Sequence, residues 1–473
     1  MQSPKPLFVD LDGTLLKTDL LVESFIELFK RRPLSALAAP IWLLRGKAWL
    51  KHRIAEQVRL EPAGLPYHEE VLEYLRTQRA NGRDVYLATA SNGRYAKAIA
   101  EHLGVFNGVL ASDESHNLSG TRKLELIRAM TPQGFSYAGN DHVDLPIWRA
   151  AESCVLVNVP ESVSRQARVH TPVERDFGRY SGGLRTLLKA IRPHQWLKNL
   201  LVFLPLLPIA NTADNGMWMS AALAFVAFSF CASSVYLLND LSDLAADRAH
   251  PRKRDRPFAS GALAPVVGLL LAPLLLMFAF AVSAFLPWYF AATLGIYWLS
   301  TTSYTFFLKR YALLDVVTLA GLYTLRVLGG AAAIGVRPSF WILAFSMFIF
   351  FSLALAKRYA ELHSMRALSR SSASGRGYHV GDLPVVQLMG VASGYLAVLV
   401  MALYINSPEI VTRYQHVHLL WGVCPLLMLW VSRVWLKSSR GEMADDPLIF
   451  AVRDRMSRYV AICAVGLVFL AML

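Results

Sequence analysis

Cysteine is scarce in this chain of 473 residues. Cys154, Cys231, Cys424 and Cys463 stand apart, with neither a C-x-x-C pair nor metal-ligand spacing. A disulfide framework and a zinc site are therefore not expected. The start of the chain lacks a charged segment followed by an apolar one, so a cleaved export signal is not expected either. No internal repeat is visible. Acids are the minority charge, 34 Asp and Glu against 48 Lys and Arg, for a net +14. Such an excess would suit nucleic acid, but 54% of the residues are hydrophobic and mean hydropathy is +0.36, too apolar for a soluble protein of this length. The first 190 residues are not especially apolar, so the excess lies in the second part of the chain.

Length leaves room for two or three domains. Residues 7–12, LFVDLD, are an apolar run ending in acids, read as a buried parallel strand with two aspartates at its carboxyl end. VYLATAS (85–91), FSYAGND (135–141) and CVLVNVP (154–160) are runs of the same kind, separated by helical patterns. A doubly wound α/β sheet with its site at the strand ends is predicted.

Asp10-Leu11-Asp12-Gly13-Thr14 resembles the first motif of the haloacid dehalogenase (HAD) superfamily, in its phosphatase branch. The resemblance implies a Rossmann-like domain over 1–160, with Asp10 as nucleophile and Asp12 as general acid and base. Thr89, or alternatively Ser91, would hold the phosphoryl group, and Lys123 would offset its charge. The fourth motif departs from the family pattern: Asn140 replaces the usual first acid in Gly139-Asn140-Asp141-His142-Val143-Asp144. The implied Mg²⁺ ligands are Asp10, Asp12, Asp144 and Asp141, with Asn140 as the alternative to Asp141. A retired phosphatase kept for docking is the competing reading. Residues 17–80 would form a helical cap. Its stretch LSALAAPIWLLRGKAWLK is too short and interrupted to span a bilayer; it would be an ordinary buried cap helix or lie on the membrane surface.

Residues 161–190 read as a linker. Ile191 to Asn199, IRPHQWLKN, is basic and aromatic just before an apolar run, as an interfacial anchor would be. Nine apolar segments follow, at roughly 197–211, 217–238, 263–284, 287–307, 314–335, 338–356, 385–405, 416–436 and 457–473. The loops after the even-numbered segments carry sixteen Lys and Arg; those on the other side carry two, Arg337 and Arg413. The positive-inside rule places the N-terminal domain, residues 239–262 and residues 357–383 in the cytoplasm. That distribution explains the basic excess without nucleic acid.

The loop after the second segment, NDLSDLAADRAHPRKRDRPFASG (239–261), holds the densest chemistry. On a continued helix Asn239, Asp240, Asp243 and Asp247 share an arc of ~100°. Carboxylates on one stripe repel unless a cation lies among them, and oxygen-only ligands with gaps favour Mg²⁺ completed by substrate phosphates. Arg248, Arg252, Lys253, Arg254 and Arg256 follow, placed for the rest of a polyphosphate. An acidic helix end before a positive-inside loop is the plain alternative.

This string resembles the first Asp-rich motif of the UbiA superfamily of intramembrane prenyltransferases, an all-α fold of nine transmembrane helices, here over 191–473. The resemblance implies Mg²⁺-dependent ionisation of a diphosphate, with Asp240, Asp243 and Asp247 as catalytic metal ligands. The second Asp-rich motif of the superfamily is absent; the loop after the sixth segment opens Lys357-Arg358-Tyr359-Ala360-Glu361-Leu362. Cations there suit a lipid phosphate better than a second Mg²⁺ cluster. Arg326, about midway along the fifth segment, is an expensive and therefore functional charge, or a structural ion pair. RPxQWxKN, which contains Lys198, together with HPxKRxRPxxSG and KRxAEL, looks like the decaprenyl-phosphate phosphoribosyltransferase branch.

That branch implies transfer of 5-phosphoribose from phosphoribosyl pyrophosphate to polyprenyl phosphate by a multi-pass protein of the cytoplasmic membrane. The HAD domain would then remove the 5-phosphate. Asn239, Lys198, Lys253, Arg248, Arg256, Arg326, Lys357 and Arg358 are the implied substrate-binding residues; self-association is left open. The other readings are an aromatic prenyltransferase of quinone or haem biosynthesis with an accessory HAD domain, and a scaffold carrying two worn-out enzyme domains.

Overall fold

The computed structural model describes residues 4–178, 182–367, 377–411, 414–443 and 447–473; Arg413 lies outside them. The chain forms two compact units. One comprises Met1–Ile191 with Tyr236–Pro273, the other Arg192–Val235 with Leu274–Leu473.

The first unit is built on six parallel strands: β1 (Leu7–Val9), β2 (Val85–Asn92), β3 (Gly108–Ser112), β4 (Ser136–Gly139), β5 (Ser153–Leu156) and β6 (Val173–Asp176). Their order is β3-β2-β1-β4-β5-β6, with Leu7 paired to Val85 on one side and Ser136 on the other. Side chains alternate across a strand, so Leu7 and Val9 enter the core on one face and Phe8 the core on the other. Both faces are covered, which is why LFV reads as a continuous apolar run.

The linker expectation is corrected for its first half. Glu161–His170 is a helix, and Val173–Asp176 is the edge strand of the sheet. Val173 is half-buried and Glu174, Arg175 and Asp176 are exposed; a polar edge strand leaves no apolar run to read.

The cap comprises α1 (Leu20–Arg31), α2 (Pro33–Ala36), α3 (Ala39–Leu44) and α4 (Lys47–Gln57). Asp19 caps α1 by accepting from Val22 N at 3.0 Å. Leu28, Ala36, Ile54 and Val58 form a small core of their own. The next helix, Glu69–Ala80, puts Val71, Leu72 and Leu75 into the sheet core instead. The expectation of an ordinary buried cap helix fails for residues 34–44: Leu34, Leu37, Ile41, Leu43 and Leu44 are exposed.

Among the described residues, seven helices are long and apolar enough to cross a membrane, from Asn215–Ser242 to Arg455–Met472. Two further expected segments are Trp288–Phe306, a helix of 19 residues, and Pro193–Ile209, a run of 3₁₀ turns containing Pro205 and Pro208. The helix Asn215–Ser242 has 28 residues. At 1.5 Å per residue this is about 42 Å, beyond the ~30 Å a bilayer core requires, so its polar end can stand clear of lipid.

Candidate active sites

The carboxyl ends of β1, β2 and β4 gather the HAD-motif residues. Asp10 follows β1, its N–H bonded to the Ala138 carbonyl at 2.9 Å, and its carboxylate accepts from Lys123 Nζ at 3.0 Å. Lys123 also donates to the Tyr137 hydroxyl at 2.8 Å, which donates to Asp144 at 2.9 Å. The Asp144 carboxylate accepts from the N–H groups of Asn140 and Asp141. Burial, then the charge of Asp10, pushes Asp144 up to about 6. Asp12 accepts from Leu20 N at 2.9 Å and from the Ser91 hydroxyl at 2.5 Å. Burial and the nearby charge of Asp19 push it up to about 7, the range in which a carboxyl can both give and take a proton at neutral pH.

Thr89 is fully buried and accepts from Ser91 N, so Ser91, the alternative, is the hydroxyl that meets Asp12. Asn140 packs on the Asp10–Thr14 loop: its Oδ1 accepts from Thr14, and a Cβ on Gly13 (φ +75°) would lie 2.2 Å from its Nδ2. Asp141 turns outward, its carboxylate half-exposed and bonded to His142. Asn140, and not Asp141, is therefore the residue brought to the Asp10 loop. Sequence reasoning missed Tyr137 and Lys51. Lys51 reaches from α4 to the Ala90 carbonyl at 2.6 Å and to Asn117 at 3.0 Å, and burial lowers its pKa. Nothing in the spacing of the cap helices marks this lysine. Asn117, with Arg45, Lys47, Trp49 and Arg122, lines a cleft of about 530 Å³.

The Asp-rich stretch lies in the same unit. The helix ends at Ser242 and a short one, Leu244–Arg248, follows after a break at Asp243. Backbone bonds from Asp243 N to Asn239 and from Asp247 N to Asp243 carry the helical spacing across that break. Asp240 and Asp247 are buried, each 2% exposed, and share one cation: Arg256 Nη1 lies 3.2 Å from Asp240 and 2.6 Å from Asp247. Asn239 and Asp243 are half-buried, and Lys253 is exposed. Arg248 makes a two-pronged ion pair with Glu23 of α1, at 2.9 and 2.5 Å.

In the second unit Arg326 is buried among neutral acceptors: Asn199 Oδ1 at 2.8 Å, the Leu322 carbonyl at 2.6 Å and the Tyr297 hydroxyl at 2.8 Å. It is not the structural ion pair that its position allowed. Lys198 lies 5.9 Å over the Tyr323 ring and heads an apolar groove of about 340 Å³ lined by Leu197, Leu201, Phe203 and Leu204. Lys357 is half-buried. Arg358, expected among the phosphate-binding cations, is committed elsewhere: to Asp315 and Glu361 at 2.5 Å each and to Tyr304 at 3.0 Å. Tyr378 donates to the other oxygen of Asp315. An acid at the head of an apolar segment was the available signal for Asp315. Removing one partner of such a pair strands a buried charge, a loss of about 3–5 kcal/mol. Asp315→Ala should accordingly lower the melting temperature in detergent well below that of Lys357→Ala, and equal losses would show that the network carries no stability.

The model of the UbiA prenyltransferase family matches residues 200–452, just over half of the chain. The chain belongs to that family. The haloacid dehalogenase-like hydrolase model matches residues 7–147, so a HAD-like domain is fused to a UbiA-family membrane domain. An uncharacterized protein, y4nM, of Sinorhizobium fredii is 38% identical over 96% of this chain and 89% of its own length. Nodulation protein NoeC of Azorhizobium caulinodans is 35% identical over 60% of this chain and 93% of its own. The decaprenyl-phosphate phosphoribosyltransferase of Mycolicibacterium smegmatis is 38% identical over 37% of this chain and 57% of its own. Among the described residues, no group of three or more His, Cys, Asp or Glu is gathered as a metal site.

Proposed function

We propose that this UbiA-family protein transfers 5-phosphoribose from phosphoribosyl pyrophosphate to a polyprenyl phosphate, and that its HAD domain then removes the 5-phosphate. The observation that carries the first step is the pair of buried carboxylates, Asp240 and Asp247, converging on a single cationic nitrogen of Arg256. The named activity of the Mycolicibacterium relative and the apolar groove headed by Lys198 support the lipid phosphate as acceptor. Asp240 and Asp247 fit Mg²⁺, because their donors are all oxygen and they already bracket a cation, and Asp243 would be the third ligand. In the HAD domain the ligands would be Asp10, Asp12 and Asp144 with Asn140, Asp141 joining only by turning inward from His142; the upward push of Asp10 on Asp144 is a repulsion that a cation would relieve. When bound, the ion supplies charge neutralisation for pyrophosphate as it leaves and for the phosphoryl group under attack. Asn239, Lys253 and Arg256 would hold the diphosphate, and Lys198, Arg326 and Lys357 the lipid phosphate. Asp10 would attack phosphorus while Asp12 protonates the leaving ribosyl oxygen and then deprotonates water. Lys123 holds the attacking carboxylate in place.

We place nine crossings in the cytoplasmic membrane, the seven long helices with Pro193–Ile209 and Trp288–Phe306, and the HAD domain in the cytoplasm on the basic side. A topology reporter at residue 1 should read cytoplasm; the opposite reading would overturn this orientation. The test of function is to incubate membranes carrying the protein with labelled phosphoribosyl pyrophosphate and polyprenyl phosphate, then extract the lipids. Label should enter the lipid. Consumption of a prenyl diphosphate, with phosphoribosyl pyrophosphate ignored, would establish the aromatic prenyltransferase reading instead.

A further inference from the structure

The cap carries an apolar ridge that its own core does not use. Leu34 is 82% exposed, Leu37 69%, Ile41 63% and Leu44 88%, whereas the cap core is closed by Leu28, Ala36, Ile54 and Val58. Scattered surface leucines are ordinary; five apolar side chains in eleven residues, counting Leu43, on two short helices and the turn between them are not. Cations bound the ridge at both ends, Arg31 and Arg32 before it and Arg45 and Lys47 after it, all exposed. Trp42 is half-buried within it.

The segment before the ridge is also held to the Asp-rich stretch of the same unit. Lys30, three residues before α2, donates to the carbonyl of Ser242 at 3.0 Å. Ser242 is the last residue of Asn215–Ser242, a helix long enough to cross a bilayer. The Glu23–Arg248 ion pair, nearly buried on both sides, clamps α1 to the segment that follows that helix. Gly261 (φ +74°) lets Lys17 approach so closely that a Cβ there would lie 2.4 Å from the Cβ of Lys17. The residues that precede the ridge are thus bound to the end of a membrane-spanning helix.

We infer that residues 33–44 form a membrane foot, an amphipathic surface that lies in the headgroup region of the bilayer, with Arg31, Arg32, Arg45 and Lys47 on anionic lipid. An apolar face flanked by cations and an interfacial Trp is the arrangement that such surfaces use. Its far end, Leu44, precedes Arg45, Gly46 and Lys47, which line the cleft of about 530 Å³ beside Lys51. The foot therefore sets this basic cleft at the membrane, where a phosphate on a lipid-linked sugar meets Arg45, Lys47 and Arg122. That last use rests on the function proposed above; the foot itself does not.

The full-length protein, with Cys463 replaced by Ser, is reconstituted in phosphatidylcholine–phosphatidylglycerol vesicles. Cysteines introduced singly at Leu37, Ile41 and, as a control on the sheet domain, Leu126 are labelled with a polarity-sensitive fluorophore. At a depth of about 5–10 Å, labels at 37 and 41 should lose on the order of half of their emission to brominated acyl chains and be shielded from iodide. The label at 126 should show the reverse. Iodide access at 37 and 41 equal to that at 126 would overturn the proposal. So would shielding from both quenchers, which would mean that a second copy or another protein covers the ridge. Replacing Leu34, Leu37, Ile41 and Leu44 by Ser should reduce hydrolysis of the lipid-linked 5-phosphate while p-nitrophenyl phosphate is still hydrolysed at the original rate. A wild type that hydrolyses neither compound would defeat the phosphatase reading and leave the label result standing.

Discussion

Asp240→Asn should abolish phosphoribosyl transfer, by at least ~10²-fold, without removing the protein from the membrane. The amide keeps the size of the side chain and one of its oxygens but loses the charge that holds a divalent cation against diphosphate. Asp240 is 2% exposed and shares Arg256 with Asp247, so the change removes one wall of a cation site and leaves the other. Asp243→Asn should act similarly. A companion variant separates metal binding from catalysis. Arg256→Gln leaves two buried carboxylates without their internal cation. Mg²⁺ should therefore raise its melting temperature more than it raises that of the wild type, through the binding free energy gained only by the folded state. Transfer by Asp240→Asn within a few fold of wild type, or equal Mg²⁺ shifts in Arg256→Gln and wild type, would remove this stripe as the metal site.

Asp10→Asn should divide the reaction in two. The wild type is expected to release polyprenylphosphoryl ribose; the variant should release the 5-phosphorylated lipid at an undiminished first-step rate. Hydrolysis should fall by ~10⁴-fold or more, the scale on which loss of a nucleophile is felt. The carboxylate is held for attack by Lys123 at 3.0 Å, and the amide offers no anionic oxygen in its place. Asp12 is held by separate partners, Leu20 N and Ser91, so its geometry should survive the change. Two domains on one chain would make the second step effectively intramolecular, with local substrate in the ~mM range. Should the wild type yield only the 5-phosphorylated lipid while transfer is fast, the HAD domain acts elsewhere or serves for docking.

The resemblances that the sequence supports and the family matches agree: a HAD-like domain precedes a UbiA-family membrane domain. They were legible because each rests on contiguous residues. D-x-D-G-T follows a strand whose two faces are both buried, and N-D-x-x-D-x-x-x-D follows an apolar helix, so pattern and chemistry coincide within one stretch of chain. The strands at 108–112 and 173–176 were not legible. Gly108–Ser112 is an edge strand whose short apolar run, Val109–Ala111, is only partly buried and carries no motif residue, and Val173–Asp176 is a polar edge with no apolar run at all.

What only the tertiary structure decided is which partner each charged group takes. Arg358 follows the sixth apolar segment in a basic stretch and Arg326 lies midway along the fifth, and both are buried. One is closed off by Asp315 and Glu361 from 43 and 3 residues away, while the other is held by neutral groups from Asn199, Leu322 and Tyr297. Arg248 and Arg256 stand eight residues apart in one basic loop, yet the first pairs with Glu23, 225 residues distant, and the second with the aspartates of its own loop. Asn140 and Asp141 are neighbours on which the backbone decides, turning one toward Asp10 and the other to solvent. Local sequence sets residue type and spacing. The choice among competing partners is set by burial, because an unpaired charge in the interior is so costly that the fold supplies whichever group can reach it.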